Sequence, residues 1–101
     1  MKIAIASEGK DKDSPVSPVS GRASYYLIFE KNRMIKAIDN PFSVGGGGAG
    51  FSVAQMLGNE GVDVVISGKF GPNITEALKK KKIKMIVVNN KKVKEALKEV
   101  K

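Results

Sequence analysis

The sequence predicts an α/β fold in three layers, with a mixed five-stranded sheet and the element order β-β-β-α-β-α-β-α. Five short apolar runs, typical of buried strands, are separated by polar or glycine-rich turns. After the third run, segments with helical apolar periodicity alternate with the remaining runs, which is the pattern of strand-helix-strand units with parallel strands. The chain has 101 residues, 42% of them apolar, which is enough for a modest core. We therefore expect one domain over residues 1–101.

The first three elements are predicted strands. Lys2–Ala6 is an isoleucine-containing apolar run that ends in a polar stretch, so it predicts a buried strand. Tyr25–Glu30 and Met34–Asp39 are two more strands, and the short segment 31–33 between them indicates a hairpin. Lys36 places a charge within the third strand, which favours an edge position for that strand.

The middle of the chain alternates helix and strand. The helix after the glycine run Val44–Gly50 has apolar residues over most of its circumference, so we expect it to be largely buried, with Gly61 at its C-terminal cap. Val62–Ser67 is typical of a strand inside a parallel sheet. Pro72 suits the first turn of the next helix, and Lys81 falls on that helix's apolar stripe, so we expect the helix to end near there.

The last two elements complete the predicted sheet. Ile83–Val88 indicates a strand, and the i, i+3, i+4, i+7 spacing of apolar residues from Val93 to Val100 indicates an amphipathic helix. Right-handed crossovers then make the last two strands parallel to the first. Four loops consequently share the carboxyl edge of the sheet, where ligands bind in open α/β folds: residues 7–24, 40–50, 68–73 and 89–92.

The glycine run is the most informative candidate site. Small residues leave backbone N–H groups uncovered, and a helix N-terminus adds partial positive charge, so this junction suits an anion. The topology predicts that three helix N-termini meet at this edge, together with the cations of Arg22 and Lys69. We therefore predict a pocket for an anionic ligand, although turns required only by short connections would also explain the glycines. The candidate ligand-binding residues are Ser20, Gly21, Arg22, Gly46, Gly47, Gly48, Lys69, Gly71 and Asn73.

The residue types exclude several kinds of chemistry. The chain has no cysteine and no histidine, which removes thiolate and imidazole ligands and the usual catalytic triads. The glycine run is not followed by the Lys-Ser or Lys-Thr pair of a Walker nucleotide loop. The predicted loop edge offers few carboxylates for a two-metal centre: Glu8, Asp11, Asp13 and Asp39. We expect no catalytic site and no set of metal ligands, and hence a binding protein rather than an enzyme.

The net charge of +8 is concentrated at the end of the chain, where residues 69–101 hold eleven lysines and three glutamates. Lys79–Lys82 lies at the C-terminal end of its predicted helix, where cations offset the helix dipole, so we predict a solvated helix end away from the glycine run. No aromatic residue is interleaved with these lysines, which disfavours nucleic-acid binding.

The chain has no apolar run of membrane-spanning length and begins at once with a strand, so we expect a cytoplasmic protein without a membrane partner.

Three stretches together carry a family resemblance. They are Pro15–Ala23 followed by Tyr25 and Tyr26; Gly45–Gly50 followed by Val53, Ala54 and Leu57; and Gly61–Ile66 with Gly68, Gly71–Asn73 and Glu76–Leu78. Their order and spacing resemble the dinitrogenase iron-molybdenum cofactor biosynthesis family over nearly the whole chain. The resemblance implies a ribonuclease-H-like fold and a small carrier of an anionic metal–sulfur cluster, such as an iron-molybdenum-sulfur cluster or its precursor. It also implies a protein partner in cofactor transfer.

The chain departs from the family pattern at two positions. Histidines that the family often carries fall, by spacing, at Val19 and near Gly47. This chain would therefore hold a cluster without His or Cys ligands, through backbone amides, Arg22, Lys69 and Asn73. Two other functions stay open on the sequence: a cofactor-free interaction or regulatory module on the same fold, and a nucleic-acid binder that uses the basic last third.

Overall fold

The computed structural model describes residues 1–43 and 49–100. Its elements are β1 (Lys2–Ser7), β2 (Tyr25–Glu30), β3 (Arg33–Asp39), α1 (Ala49–Asn59), β4 (Val64–Ser67), α2 (Pro72–Lys80), β5 (Lys84–Val87) and α3 (Val93–Leu97). The predicted order of elements is confirmed, and the element ends differ from the predicted ones by only a few residues. Among the described residues, none of the helices combines the length and the apolar character needed to cross a membrane.

The sheet has the strand order β3-β2-β1-β4-β5. β1 pairs with β2 in antiparallel and with β4 in parallel orientation, and β4 pairs in parallel with β5. The predicted mixed sheet is confirmed, and so is the edge position of β3, where the Lys36 ammonium lies 2.9 Å from a carboxylate oxygen of Glu60. The ribonuclease-H-like label stays a prediction.

The two faces of the sheet carry separate cores, which gives the three predicted layers. Because successive side chains of a strand point to opposite faces, neighbouring residues of β2 enter different cores. Tyr26 packs with the side chains of α1 and α2, whereas Leu27 packs with Val93 and Ala96 of α3. Two helices therefore cover one face of the sheet, and one helix covers the other.

Helix α1 is less buried than the sequence predicts. Val53, Ala54 and Leu57 are fully buried, but the side chain of Phe51 is 46% exposed. One side of α1 packs on the sheet and an adjoining side on α2, so the apolar residues that extend further around the helix are left at the surface. Phe51 is one of these.

Helix α2 ends where the position of Lys81 on the apolar stripe predicts. Lys81 is the C-cap residue, and its N–H points at the carbonyls of Ala77 and Leu78. The N–H of Ile83 donates to the Leu78 carbonyl at 2.9 Å. Lys82, which lies between the C-cap residue and Ile83, has a left-handed φ of 60°. This is the Schellman arrangement, in which glycine is the usual residue at the left-handed position.

Replacing Lys82 with glycine is expected to raise the free energy of unfolding by about 0.5 to 1 kcal/mol, because glycine adopts the left-handed conformation without the Cβ conflict. Urea denaturation followed by circular dichroism measures the change. Lys79→Gly is the matched control: within α2 the same substitution is expected to cost about 1 kcal/mol. Equal effects of the two substitutions would contradict the cap assignment.

Candidate functional site

The loops that follow β1 and β4 are joined at the carboxyl edge of the sheet. The N–H of Ser20 donates to the carbonyl of Lys69 at 2.7 Å, and the N–H of Gly68 donates to the carbonyl of Ser17 at 2.9 Å. Both hydrogen bonds link backbone to backbone, so the loop after β1 (residues 7–24), which we call the first loop, is held against the end of β4. The predicted convergence of these two loops is thus present in the structure.

Asn40 joins the loop after β3 to the same unit. Its side chain is buried, and its amide nitrogen donates to the carbonyls of Gly21 at 3.2 Å and Ala23 at 2.8 Å. The amide oxygen accepts from the N–H of Phe42 at 3.0 Å. One asparagine therefore fixes the start of the loop after β3 to the loop after β1.

The hydroxyl of Tyr26 forms hydrogen bonds with two residues of the loop that follows β1. It lies 2.9 Å from the Ser20 hydroxyl and accepts the N–H of Gly21 at 3.0 Å. Burial raises the pKa of Tyr26, and its hydrogen bonds with Ser20 and Gly21 partly oppose that shift. Gly21 has a φ of +92°, a conformation that other residues rarely adopt, so the turn above the tyrosine requires glycine.

The predicted binding residues of the first loop divide into two kinds. Ser20 and Gly21 are buried, and their N–H groups and the Ser20 hydroxyl already have partners inside the protein. Arg22 follows them directly and is exposed. Lys69, whose carbonyl accepts from Ser20, is likewise exposed, so the two cations stand on loops that are bonded to each other.

Gly71 and Asn73 lie at the start of α2. Gly71 is its N-cap residue, no side chain caps the helix, and Pro72 has no N–H group. The Gly71 carbonyl accepts from the N–H and the hydroxyl of Thr75, at 3.1 and 2.7 Å, and Asn73 is exposed. The positive end of the α2 dipole therefore reaches the carboxyl edge without an acidic side chain in the first turn.

The start of α1 lies against the start of α2. A Cβ atom added to Gly50 would lie only 2.7 Å from the backbone nitrogen of Ile74, so this glycine is required by close helix packing. The positive ends of the two dipoles consequently lie side by side. The predicted binding residues Gly46, Gly47 and Gly48 lie outside the described residues.

Helix α3 also begins at this edge, but its first amides are occupied. The N–H of Val93 donates to the Ser14 carbonyl and that of Lys94 to the Lys12 carbonyl, both at 2.9 Å. The Lys94 ammonium lies 2.7 Å from a carboxylate oxygen of Asp13, and this hydrogen bond and charge lower the pKa of Asp13 and raise that of Lys94. Helix α3 therefore begins at this edge as the topology predicts, but the first loop occupies the amides of its first turn, so α3 does not offer them to a ligand.

The chemistry of the edge suits an anion better than a metal cation. The sequence contains no cysteine or histidine, and the part of the chain that the structure describes has no group of three or more carboxylates placed to hold a metal ion. The edge offers instead exposed cations, among them Arg22 and Lys69, together with amide groups and helix dipoles. These groups fit an anionic cluster held by charge and hydrogen bonds, and they do not fit one held by direct ligation.

Sequence reasoning missed the roles of Tyr26 and Asn40 in joining the loops. A signal existed for Tyr26: strand alternation places it on the same face as Ile28, and a buried tyrosine hydroxyl needs a hydrogen-bond partner nearby. Asn40 gives no comparable signal, since an asparagine at the end of a strand is equally typical of a solvated turn.

Comparisons with known proteins find similarity over nearly the whole chain. A family model described as dinitrogenase iron-molybdenum cofactor matches residues 1–101. The apo form of the orange protein from Desulfovibrio gigas is 30% identical, with a TM-score of 0.89 over 96% of this chain and 83% of that one. A NifB-like protein from Thermotoga is 32% identical, with a TM-score of 0.84 over 96% of this chain and 84% of that one. No curated protein matches the chain.

Proposed function

The chain belongs to the dinitrogenase iron-molybdenum cofactor family, and on that premise we propose that it is a small non-enzymatic carrier that binds an anionic metal–sulfur cluster or oxyanion at the carboxyl edge. An iron-molybdenum-sulfur cluster or its precursor is the cargo we propose first. The observation that carries the proposal is the joining by hydrogen bonds of three loops, two of which carry the exposed cations Arg22 and Lys69, next to the uncapped start of α2.

Each candidate residue has its own part in this proposal. Arg22 supplies a forked donor and Lys69 a compact charge, and both stand on the joined loops. Gly71 and Asn73 present the start of α2 to the ligand. The sequence adds the amides of Gly46, Gly47 and Gly48 as further donors, and it is the sequence alone that supports them.

Ser20 and Gly21 are assigned a supporting role. Because their donors are bound to Lys69 and Tyr26, they position the backbone of Arg22 and leave ligand contact to its side chain. The proposed site therefore combines a loop backbone held by hydrogen bonds with charged side chains on the same loops, which limits the entropy lost on binding.

Binding of this kind is expected to be reversible. A sulfide or oxo group of a cluster accepts hydrogen bonds from guanidinium, ammonium and amide donors. Release of the cluster then breaks only hydrogen bonds and ion pairs, and no coordinate bond between protein and metal. We propose that a protein partner receives or supplies the cargo. The affinity is expected to fall as ionic strength rises, because exposed charges are screened by salt.

Removing the two cations is expected to weaken binding of tetrathiomolybdate, a small anionic metal–sulfur compound. For Arg22→Gln combined with Lys69→Gln, the Kd is expected to rise at least tenfold, because each charge-assisted hydrogen bond contributes about 1.5 to 3 kcal/mol. Isothermal titration calorimetry of the folded variants, with molybdenum analysis after gel filtration, measures the change.

The matched control is Lys84→Gln combined with Lys98→Gln, which removes two exposed lysines outside the joined loops. Its Kd is expected to stay within about twofold of the wild-type value, since distant charges are screened. Equal weakening by both double variants would mean that net charge, and not this edge, attracts the anion. An absence of tetrathiomolybdate and molybdate binding by the wild-type protein would favour the cofactor-free interaction module.

A further inference from the structure

The exposed ring of Phe51 lies in a cleft with the lysines at the end of α2. The cleft has a volume of about 380 Å³ and is lined by Phe51, Gln55, Ala77, Lys80 and Lys81. The sequence separates the aromatic residue from the lysines, and the packing of α1 beside α2 brings them together. We call these five residues the Phe51 cleft.

Close helix packing shapes the basic side of the cleft. A Cβ atom added to Gly58 would lie 3.1 Å from Cδ of Lys81, so the aliphatic part of that lysine runs over α1 at its glycine. The lysine stem thereby adds apolar surface beside the Phe51 ring, while its ammonium stays in solvent. Lys80 contributes a second charge, and its partner Glu76, at 3.3 Å, is itself well exposed, so solvent screens that ion pair.

We propose that the Phe51 cleft is a docking surface for an acidic segment of a partner protein, with an apolar side chain of the partner on the ring and its carboxylates on Lys80 and Lys81. Aromatic residues, phenylalanine among them, are enriched at the centres of protein interfaces, and charges around such a centre attract and orient a partner of opposite charge. The volume lies near the lower end of the range for ligand pockets, which suits one or two anchoring side chains.

The other occupants fit the cleft less well. Proteins that bind single-stranded nucleic acid stack successive bases on several rings, whereas Phe51 is the one exposed phenylalanine or tyrosine among residues 1–43 and 49–100. A second copy that presented the same surface would bring lysine against lysine, which is repulsive. The docking surface lies outside the joined loops, so the inference does not depend on what is bound at the carboxyl edge.

The test is a titration of isotopically labelled full-length protein followed by amide chemical shifts. The supporting probe is a short peptide of glutamates flanking one leucine–leucine pair. It is expected to shift the amides of Phe51, Gln55, Ala77 and Lys81, and its Kd is expected to rise about tenfold in Phe51→Ala and about fivefold in Lys80→Gln combined with Lys81→Gln. Lys31→Gln combined with Lys98→Gln is the charge-matched control, with the Kd unchanged within twofold.

Four results would overturn the docking surface. They are equal binding of an oligoglutamate without leucine, stronger binding of an oligothymidylate of similar length, shifts at these amides that depend on protein concentration without peptide, and equal weakening by the control variant. Tetrathiomolybdate binding is measured on the same variants. Because loss of peptide binding with retained tetrathiomolybdate binding separates the two sites, failure of one proposal is distinguishable from failure of the other.

Discussion

Replacing Gly68 with alanine is expected to lower the free energy of unfolding by about 3 kcal/mol, at the upper end of the range for overpacking. The added Cβ would lie 2.6 Å from the carbonyl oxygen of Pro18, 2.7 Å from its Cα and 2.8 Å from the side-chain oxygen of Asn89. Two of these neighbours are backbone atoms and cannot rotate away, so the first loop must move off β4. Urea denaturation measures the loss.

Gly71→Ala is the matched control for Gly68→Ala. A Cβ atom at Gly71 would meet no atom within 4 Å, and its φ of −71° is ordinary for alanine. The expected loss is below about 1 kcal/mol, which reflects the weaker N-cap preference of alanine. Similar losses for both variants would show that the contact between the first loop and β4 is not what requires glycine at position 68.

Replacing Tyr26 with phenylalanine is expected to lower the free energy of unfolding by about 2 kcal/mol. The substitution keeps the ring in the core but leaves the buried N–H of Gly21 and the hydroxyl of Ser20 without their partner, and each unsatisfied buried group costs about 1 to 3 kcal/mol. Tyr25→Phe is the control, because Tyr25 is only half-buried and packs on the opposite face of the sheet. An equal loss for the two variants would contradict the supporting role of the Tyr26 hydroxyl.

The free energy of unfolding is also expected to depend on pH differently in the Tyr26→Phe variant and in the wild-type protein. Because burial raises the pKa of Tyr26 above its ordinary value of about 10, the folded protein favours the neutral phenol. The stability that the neutral Tyr26 phenol contributes to the folded protein is fully present below pH 10 and is lost as the pH rises through the folded-state pKa. The advantage of the wild type over the variant should therefore shrink in urea titrations above pH 10, and a constant difference would contradict the assignment.

The layers and the order of elements of this fold could be predicted because the apolar patterns are consistent along the chain. The short segment 31–33 between two apolar runs predicts a hairpin, and Lys36 within the second run predicts an edge strand; both are confirmed. The exposure of Phe51 could not be predicted in the same way. A helix that is apolar over most of its circumference does not indicate which side meets a neighbouring helix, and here Gly50 and Gly58 select that side.

The candidate site could be predicted in part for a similar reason. The direction of the strands determines which loops share an edge and so predicts that Arg22 and Lys69 lie on neighbouring loops, which the hydrogen bond from Ser20 to Lys69 joins. The closure of α3 by Ser14 and Lys12 depends on the path of the long first loop, which local patterns do not determine. The contribution of the glycine run stays a prediction, since residues 44–48 lie outside the described residues.

The most direct measurement is a crystal structure of the protein with tetrathiomolybdate, with data collected at the molybdenum absorption edge so that anomalous scattering locates the metal. The carrier proposal predicts a molybdenum peak at the carboxyl edge, with its sulfur atoms within hydrogen-bond distance of Arg22, Lys69 or the start of α2. A peak found only beside Lys79–Lys82 at the other end of α2, or no ordered peak from crystals that contain one molybdenum per chain, would contradict it.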